Sequence, residues 1–476
     1  MKQLPQSTTT LAAALKAWNA CADLRRRRLR YKQYTYGNQW NDLVTSPDGE
    51  VMTERQLAAS KGKEPLTNNM IRQLVKSVVG RFRNGRVTNQ ARTDRQLYDR
   101  NQLDEMDSRL LEEFLISGCA IQRIVKECRV YGQGVWVDNV SPQQFFWQAT
   151  SDPRCRDIEL LGMVHDMSLT EVMMRFAGND RRRAQLIASV YGNNASAHTP
   201  LAGTSMLENS DFFTAAEGRC RVIEVWTLEG CETVRCHDRD KALYYETDVA
   251  ALSSIADENA RRQDDGVDII DTRWGMSLRW HCRYLTPWGD VLQEMDSPYR
   301  HGSHPFAVKF YPLTDGEIHS FVEDVIDQQR YINRLITLID HIMGSSAKGV
   351  LLFPENQLCT SLTWEDVAQR WSAYDGIIPY RPTNTPHIPQ QVSSSGNNAG
   401  AYELLALEMK LFEEISGVGK AFQGKDASAG TAASLYQSEA NNALIALTDI
   451  YETFASFCHE RDIKMCQTRL PGQKVG

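Results

Sequence analysis

The chain contains 476 residues and carries a formal net charge of −7, because 60 Asp and Glu residues outnumber 53 Lys and Arg residues. This mild acidic excess argues against a simple cationic coat for nucleic acid, although it leaves a local basic contact open. A chain of this length can form two to four domains with a sizeable core.

The cysteines and the hydropathy indicate a soluble intracellular protein. The eleven cysteines are odd in number and include no Cys-x-x-Cys pair, which is typical of reduced, mostly buried thiols. Cys231 and Cys236-His237 lack the second ligand pair of a zinc site, so we expect no metal. The N-terminus is polar, and no apolar run approaches the about 18 residues of a membrane span.

The first hundred residues predict amphipathic helices separated by turns. Residues 8–10 can cap a helix that ends in the basic run 25–30. That run fits a phosphate contact, a solvated helix face or a contact to an acidic neighbour, and charge runs are usually solvated. Asn68 can cap a further helix that closes at Gly80.

Period-two alternation then dominates and predicts a mixed, mainly antiparallel α+β region over residues 117–311. A hairpin is expected over residues 120–140 and a second one over 277–294, with strands at 158–166 and 220–228. A pattern of Ser three residues before Glu, beginning at Ser168, predicts the start of a helix.

A long helix is predicted over residues 318–342. Its apolar residues recur at spacings of three, four and seven, which marks one face of a helix. Because the rest of its surface is polar, the apolar stripe must pack against its own chain or a neighbouring one. A small strand-containing insert follows, then a helix over residues 399–415.

A glycine-rich loop over residues 416–430 joins that helix to a last long helix beginning at Thr431. The loop lacks the glycine and lysine spacing of a phosphate-binding loop, and no parallel strand precedes it, so nucleotide binding is not expected. We interpret it as a flexible connection with Lys420 and Lys425 at its tip.

The order of these features resembles that of a tailed-bacteriophage portal protein, most closely the portals of short-tailed phages. The D-Q-Q-R-x-I-N motif at residues 327–333, after a proline-containing strand, carries most of the resemblance. Two departures are His319-Ser320 in place of a glycine that often opens the long helix, and a chain end soon after the last helix, so that a helical crown would be short, absent or removed. The resembling segments are residues 34–40, 65–83, 304–316, 322–342 and 414–452.

The resemblance implies a portal-like α+β fold with a mixed wing, long stem and tunnel helices and a small clip insert. The implied boundaries are a wing at 1–317, a first stem helix at 318–343, a clip at 344–398, a second stem helix at 399–415, a tunnel loop at 416–430, and a tunnel helix with a short crown remnant at 431–476.

It also implies a ring, usually of twelve copies, at one vertex of the virion capsid, assembled in the host cytoplasm. Such a ring would be a conduit for packaging and ejection of double-stranded DNA, contacted transiently and without sequence preference. The implied partners are the terminase large subunit, a neck or tail adaptor, and the major capsid and scaffolding proteins. No catalytic activity, cofactor or membrane partner is expected.

Three groups of candidate contact residues follow from the resemblance. The first would face DNA from the tunnel loop, the second would line the stem, and the third would bind partners at the clip. They are Lys420, Gln423, Lys425 and Asp426 in the loop; Asp324, Asp327, Gln328, Arg330, Asn333 and Arg334 in the stem; and Phe353, Glu355, Trp364, Glu365 and Asp366 in the clip.

Two other functions remain alternatives. Asp264, Asp265, Asp268 and Asp271 could serve a metal-dependent nuclease, since two-metal phosphodiester chemistry needs clustered carboxylates. Their pattern is nevertheless that of a turn entering a strand, where alternate side chains point apart. An oligomeric virion adaptor is the other alternative, although adaptors are usually much shorter.

Overall fold

The computed structural model describes residues 4–88, 95–129, 132–194, 210–346, 350–372, 377–382, 388–392, 399–419 and 433–469. It is a mixed fold, 48% helical and 26% strand. The chain forms two compact units. Unit 1 comprises Met1–Lys32, Val75–Glu323 and Ile445–Gly476, and unit 2 comprises Gln33–Leu74 and Asp324–Leu444.

The helices fall where the sequence has apolar residues at helical spacing. In the described ranges they are α1 Thr8–Ala20, α2 Ala22–Tyr36, α3 Glu54–Ser60, α4 Met70–Thr88, α5 Arg95–Asn101, α6 Leu103–Ser117, α7 Leu169–Phe176, α8 Arg181–Asn194, α9 Ser210–Phe213, α10 Leu252–Asp264, α11 Ile326–Ser346, α12 Trp364–Ser372, α13 Ala399–Ser416 and α14 Ala433–Arg469.

The strands are mostly antiparallel neighbours in sequence, as expected for hairpins. They are β1 Leu43–Thr45, β2 Val51–Thr53, β3 Cys119–Arg129, β4 Gly132–Asn139, β5 Phe145–Trp147, β6 Leu160–Met167, β7 Cys220–Asp238, β8 Leu243–Asp248, β9 Ile270–Leu285, β10 Val291–Asp296, β11 Phe306–Phe310, β12 Pro312–Thr314, β13 Glu317–Ile318, β14 Val350–Leu352 and β15 Gln390–Val392.

Two antiparallel sheets organise unit 1. The larger has the order β10-β9-β7-β6-β5 with β8 also paired to β7, and the smaller has the order β11-β3-β4. Both predicted hairpins are present, as β3–β4 and β9–β10. The predicted helix start is confirmed by reciprocal hydrogen bonds between Ser168 and Glu171.

Aromatic residues fill the core of unit 1. Trp147 stacks on Phe310 with their ring centroids 4.3 Å apart, and Phe145 meets Phe306 edge-on at 5.1 Å. Trp226 is fully buried on β7. Burying a side chain of this size contributes about 1.5–3 kcal/mol, so the paired faces of the sheets hold this unit together.

The structure corrects the predicted ends of three helices. The helix predicted from residue 318 begins at Ile326 after a single 3-10 turn, because Glu317–Ile318 pairs with Pro312–Thr314 as a short hairpin. Helix α4 continues through Gly80 to Thr88 instead of closing there. Helix α2 continues past the basic run to Tyr36.

The basic run 25–30 is partly built into the core of unit 1. The Arg25 guanidinium stacks 3.7 Å from the centroid of the Trp18 ring and donates to the Trp18 carbonyl at 2.8 Å. Arg28 makes two hydrogen bonds of 2.7 Å to Glu113. These two arginines are therefore structural, and the Arg28–Glu113 pair is the contact to an acidic neighbour that one interpretation of the run allowed.

Candidate functional site

The candidate site is helix α11, predicted to be the first stem helix, together with α13 and the insert between them, all in unit 2. Three polar residues of α11 recur every four positions, at Gln329, Asn333 and Thr337. This spacing puts them on one helix face. That face is buried, with Gln329 0% and Asn333 1% exposed, so the three side chains need partners inside the protein.

The partners are backbone groups of the segment that enters α4. The Gln329 side-chain oxygen accepts from the backbone N–H groups of Met70 (2.8 Å) and Ile71 (3.2 Å), and its amide nitrogen donates to the Asn68 carbonyl at 2.7 Å. The side-chain oxygen of Asn333 accepts from the Asn68 N–H at 3.0 Å. Gln329 therefore caps α4 from a distant part of the chain.

A second layer of amides extends this network. Asn333 donates to the Gln39 side-chain oxygen at 2.6 Å, and Gln39 donates to the Asn69 side-chain oxygen at 3.1 Å. The Asn69 oxygen accepts from the Arg72 N–H at 2.9 Å, so Asn69, and not the predicted Asn68, is the local cap of α4. Thr337 accepts from the Leu66 N–H at 3.0 Å. We call the side chains of Gln39, Asn69, Gln329, Asn333 and Thr337 the amide network.

A carboxylate clamp lies beside the amide network. Glu54 is the first residue of α3, whose start is fixed by reciprocal bonds between Thr53 and Gln56. The buried Glu54 carboxylate accepts hydrogen bonds from both Arg330 and Arg334, one helical turn apart on α11. Hydrogen bonding to Glu54 raises the pKa of Arg330, so the clamp retains its cations.

The six predicted stem residues therefore do not share one surface. Asn333 lies inside unit 2, so it cannot line a channel or meet a neighbouring copy, and Arg330 and Arg334 reach the clamp. Asp324 and Asp327 are exposed, and Gln328 is half-buried. Sequence reasoning missed Gln329, the centre of the network, although its spacing of four from Asn333 was a usable signal.

The apolar stripe of α11 is largely buried, as its period predicted. Val325, Ile326, Ile332, Leu335 and Ile339 are at most 9% exposed. Helix α13 packs beside α11. The Tyr402 hydroxyl, near the start of α13, lies 3.0 Å from the Met343 sulfur near the end of α11, so the two helices run in opposite directions.

The insert between the helices is closed at its base by a strand pair. Val350 lies opposite Val392 in β14–β15, and Leu358 forms an isolated bridge with Tyr380. Of the predicted clip residues, Trp364 is 46% exposed and meets the Phe353 ring edge-on at 6.0 Å. Glu355 and Glu365 are exposed.

Asp366, also predicted as a clip contact, has a local structural partner. Its carboxylate accepts from the Thr363 N–H at 2.8 Å, and the Asp366 N–H donates back to the Thr363 hydroxyl at 3.2 Å. The backbone and hydroxyl bonds from Thr363 lower the pKa of Asp366. Thr363 and Asp366 thus fix the start of α12, which begins at Trp364, in the manner of a capping box. The predicted loop residues Lys420, Gln423, Lys425 and Asp426 lie outside the described residues.

Unit 1 holds buried charges that the sequence did not reveal. Arg461 of α14 and Asp107 of α6 are both 0% exposed and form bonds of 2.8 and 3.2 Å, joined by Gln122 at 3.2 Å from the arginine. On β7, Glu224 contacts Arg123 at 3.1 Å and His165 at 2.8 Å. Burial alone would raise the pKa of Glu224, but these partners hold it below its ordinary value.

The aspartates of the nuclease alternative do not converge. Asp264 ends α10 and is exposed, the Asp268 carbonyl accepts from Arg262 at 3.3 Å, and Asp271 pairs with Arg239 at 2.6 Å. Within the ranges that the structure describes, no group of three or more His, Cys, Asp or Glu residues could hold a metal ion. In the same ranges, no helix is long and apolar enough to cross a membrane.

Comparison with known proteins identifies the class. A family model described as "Phage P22-like portal protein" matches residues 12–475. The match defines a portal protein of a tailed phage, which is a structural component of the virion capsid. The chain belongs to the phage P22-like portal protein family, of the short-tailed type. Comparison with curated proteins gave no match.

Proposed function

We propose that copies of this chain form a closed ring of twelve at one capsid vertex, through which double-stranded DNA is packaged and ejected. The observation that carries the proposal is the antiparallel pair α11 and α13 with a strand-closed insert between them, in a chain of the portal family. In this arrangement the helix pair is the stem and the insert is the clip.

Apolar residues left exposed on the stem support packing between copies. Tyr331, Leu338 and Met343 on α11 and Leu407 and Met409 on α13 are each between 37% and 51% exposed. Rings use heterologous interfaces, in which one surface of a subunit meets a different surface of the next. Asp324, Asp327 and Gln328 then line the channel or the rim of this interface.

The insert provides the docking surface for the terminase large subunit and the neck or tail adaptor. Trp364, Ile377 and Tyr380 are exposed there, with the carboxylates of Glu355 and Glu365 nearby in sequence. Exposed aromatic residues with a charged surround are typical of protein interfaces. Unit 1 is the wing that meets the capsid and scaffolding proteins.

DNA passes through the ring without being held tightly. A subunit with a net charge of −7 adds few phosphate contacts, and a contact repeated in every copy would multiply into a trap. Lys420 and Lys425, flanking Gln423 and followed by Asp426, then act as weak DNA contacts of the tunnel loop.

The decisive experiment is to determine the mass and projection of the purified protein by native mass spectrometry and electron microscopy. A closed ring of twelve with an axial hole supports the proposal. A protein that stays monomeric at high concentration overturns it.

A narrower test addresses the tunnel loop. The double variant Lys420→Glu with Lys425→Glu should form normal rings but package or retain less DNA, because repulsion of phosphate repeats in every copy. Lys61→Glu with Lys63→Glu, in the polar turn after α3, is the matched control and should package normally. Collapse of the ring in the loop variant alone would instead make the loop structural.

A further inference from the structure

In unit 1, the strands β8, β7 and β9 extend beyond the core sheet as a three-stranded ribbon, in which β7 is the central strand. One face of the ribbon is polar and internally paired. Arg235 bonds Glu246 at 2.9 Å, and Arg279 pairs with Asp248. That face satisfies its own charges across neighbouring strands.

The other face carries an apolar stripe. Trp274, Met276 and Leu278, at alternate positions of β9, are 64%, 53% and 69% exposed. Farther along this face, toward Ile270, helix α10 covers a small core with Val234 and Cys236. The apolar stripe therefore continues this small core into an uncovered part of the face, where the exposed Glu232 lies opposite Met276 and the exposed Thr272 precedes Trp274. Three large apolar side chains in a row are unusual for a surface exposed to water.

The backbone of β9 is open along the same residues. At one end the Asn259 side chain satisfies both backbone groups of Ile270, accepting at 2.7 Å and donating at 3.0 Å. At the other end the Ser297 N–H donates to the Trp280 carbonyl at 2.9 Å. Both residues thus point their backbone N–H and C=O groups away from β7. Because this direction alternates along a strand, every second residue between them also points its backbone groups away from β7. These residues are Thr272, Trp274, Met276 and Leu278.

No strand pairs with this edge in the part of the chain that the structure describes, since β10 covers β9 only from His281 onward. An open edge of this length with an apolar face is a template for another strand. Native proteins usually protect such an edge with charges or bulges, and here Asn259 and Ser297 close only its ends.

We propose that the open edge of β9 and the apolar stripe bind an extended segment of a different virion protein as an added strand. Four residues of β9 offer their N–H and C=O groups, and the apolar stripe receives apolar side chains at alternate positions of the segment. Arg273 is exposed on the polar face beside the same edge. The segment therefore carries an acidic residue that faces Arg273, between its apolar positions.

A second copy of this chain fits less well. The other edge of the ribbon is β8, which has only six residues, Leu243–Asp248. Three of its side chains lie on the side of the apolar stripe, but Tyr245 already packs on the ribbon's own core and Thr247 is polar, so Leu243 is the one apolar side chain of β8 left to cover the stripe. An added strand from another protein covers all three stripe residues.

Amide hydrogen exchange tests this in the assembled protein. We would compare residues 271–279 in isolated rings and in rings incorporated into capsids. The outward amides should exchange freely in isolated rings and about fivefold or more slowly in capsids, because the added strand gives each outward N–H an acceptor. Equal exchange in both states overturns the proposal, and protection already present in isolated rings assigns the edge to a neighbouring copy instead.

Met276→Pro is the selective variant, because it removes an N–H that points away from β7 and leaves the bonds of the ribbon in place. It should abolish the protection gained in capsids, whereas Met276→Thr keeps the N–H and should retain part of it. Exchange at Ser277, whose backbone faces β7, shows whether the ribbon survives.

If the proline loosens the ribbon, Arg273→Glu is the second variant. It keeps every backbone group and should reduce the protection about threefold through charge repulsion. If Arg273→Glu and Met276→Thr are both protected as strongly as the wild-type protein, the acidic and apolar contacts assigned to the segment are wrong.

The inference rests on the proposed function for the presence of the ring in the capsid. A chain that forms no ring defeats that function, whereas a normal ring with an unprotected edge defeats only this inference.

Discussion

The two units bury polar side chains in different ways. Unit 1 buries opposite charges, Arg461 against Asp107, which need one another because neither meets water. Unit 2 also buries a carboxylate, Glu54, but its buried polar side chains on α11 are neutral, and Gln329 and Asn333 bond mainly to backbone groups of a distant segment. A buried ion pair is sensitive to the loss of either partner, whereas the amide network fixes the position of a chain segment.

This difference affects how each unit holds its chain segments in place. A segment without regular structure, such as Leu66–Asn69, has backbone groups that must be satisfied if it is buried. Side chains of a rigid helix can satisfy them at fixed positions. The D-Q-Q-R-x-I-N motif is therefore explained first by holding the N-terminal segment of unit 2 on α11.

The largest expected effect is the loss of one buried charge in unit 1. Arg461→Met leaves Asp107 without its main partner and should lower the free energy of unfolding by about 3–5 kcal/mol. Denaturant unfolding measures this change. Arg109→Met, which removes an exposed arginine of the same helix α6 as Asp107, is the control and should cost about 1 kcal/mol or less. Equal losses in both variants would contradict the role of burial.

The amide network should give a smaller effect. Gln329→Ala removes the acceptor of the Ile71 N–H and leaves the Met70 N–H with only the Asn68 carbonyl, 2.9 Å away, which should cost about 1–3 kcal/mol. Exchange of the Ile71 amide should accelerate strongly, and that of the Met70 amide less, because Met70 keeps this second acceptor. Gln328→Ala, at the half-buried neighbour, should leave both amides protected. Unchanged protection in Gln329→Ala would show that another group caps α4.

The stability of the two units should respond differently to acid. Burial lowers the pKa of His165, and burial together with the charge of Lys464 lowers that of His301 to about 4. The unfolded chain then binds more protons than the folded chain below about pH 6.5, so stability falls as the pH falls through this range. Glu224, whose folded pKa is lowered, adds to the loss below its ordinary value of about 4.5. The amides of unit 2 do not titrate.

The expected difference can be measured by hydrogen exchange between pH 7 and pH 4, corrected for intrinsic rates. Opening free energies on β7 should fall by about 1–2 kcal/mol, while those of Met70 and Ile71 change less. His301→Gln should flatten the decline, whereas His341→Gln, at an exposed position of α11, should not. If the opening free energies fall equally in both units, the contrast between titratable groups in unit 1 and amides in unit 2 is wrong.

The smallest effect is expected at the exposed stem residues. Asp327→Asn removes an exposed carboxylate and should change the free energy of unfolding by less than about 0.5 kcal/mol. A change in ring formation or DNA packaging at unaltered stability would place Asp327 at the interface or the channel. Normal assembly and packaging would remove it from the candidate contact residues.

Much of the fold could be predicted because its signals are local. Alternation defined the β3–β4 and β9–β10 hairpins, and apolar spacing defined α11, α13 and α14 to within a few residues at most ends. Ends at which two local signals compete could not be predicted. The start of α11 is delayed because Glu317–Ile318 pairs as a strand, and α4 passes through Gly80 since a glycine permits a helix end without requiring one.

The candidate site was predicted less well than the fold. The helix–insert–helix order was readable, but which polar residues are exposed was not. Asn333, expected on a surface, is buried by Asn68 and Gln39, which lie 265 and 294 positions away in the sequence. Arg330 and Arg334 likewise meet Glu54, which precedes them by 276 and 280 positions.

The sequence by itself determined the succession of elements, the mild charge and the portal resemblance, because periodicity and composition are properties of neighbouring residues. Tertiary structure alone decided which polar groups are buried and which strand edge stays open. The physical reason is that burial depends on what packs against a residue, and in both units the packing partner comes from a remote part of the chain.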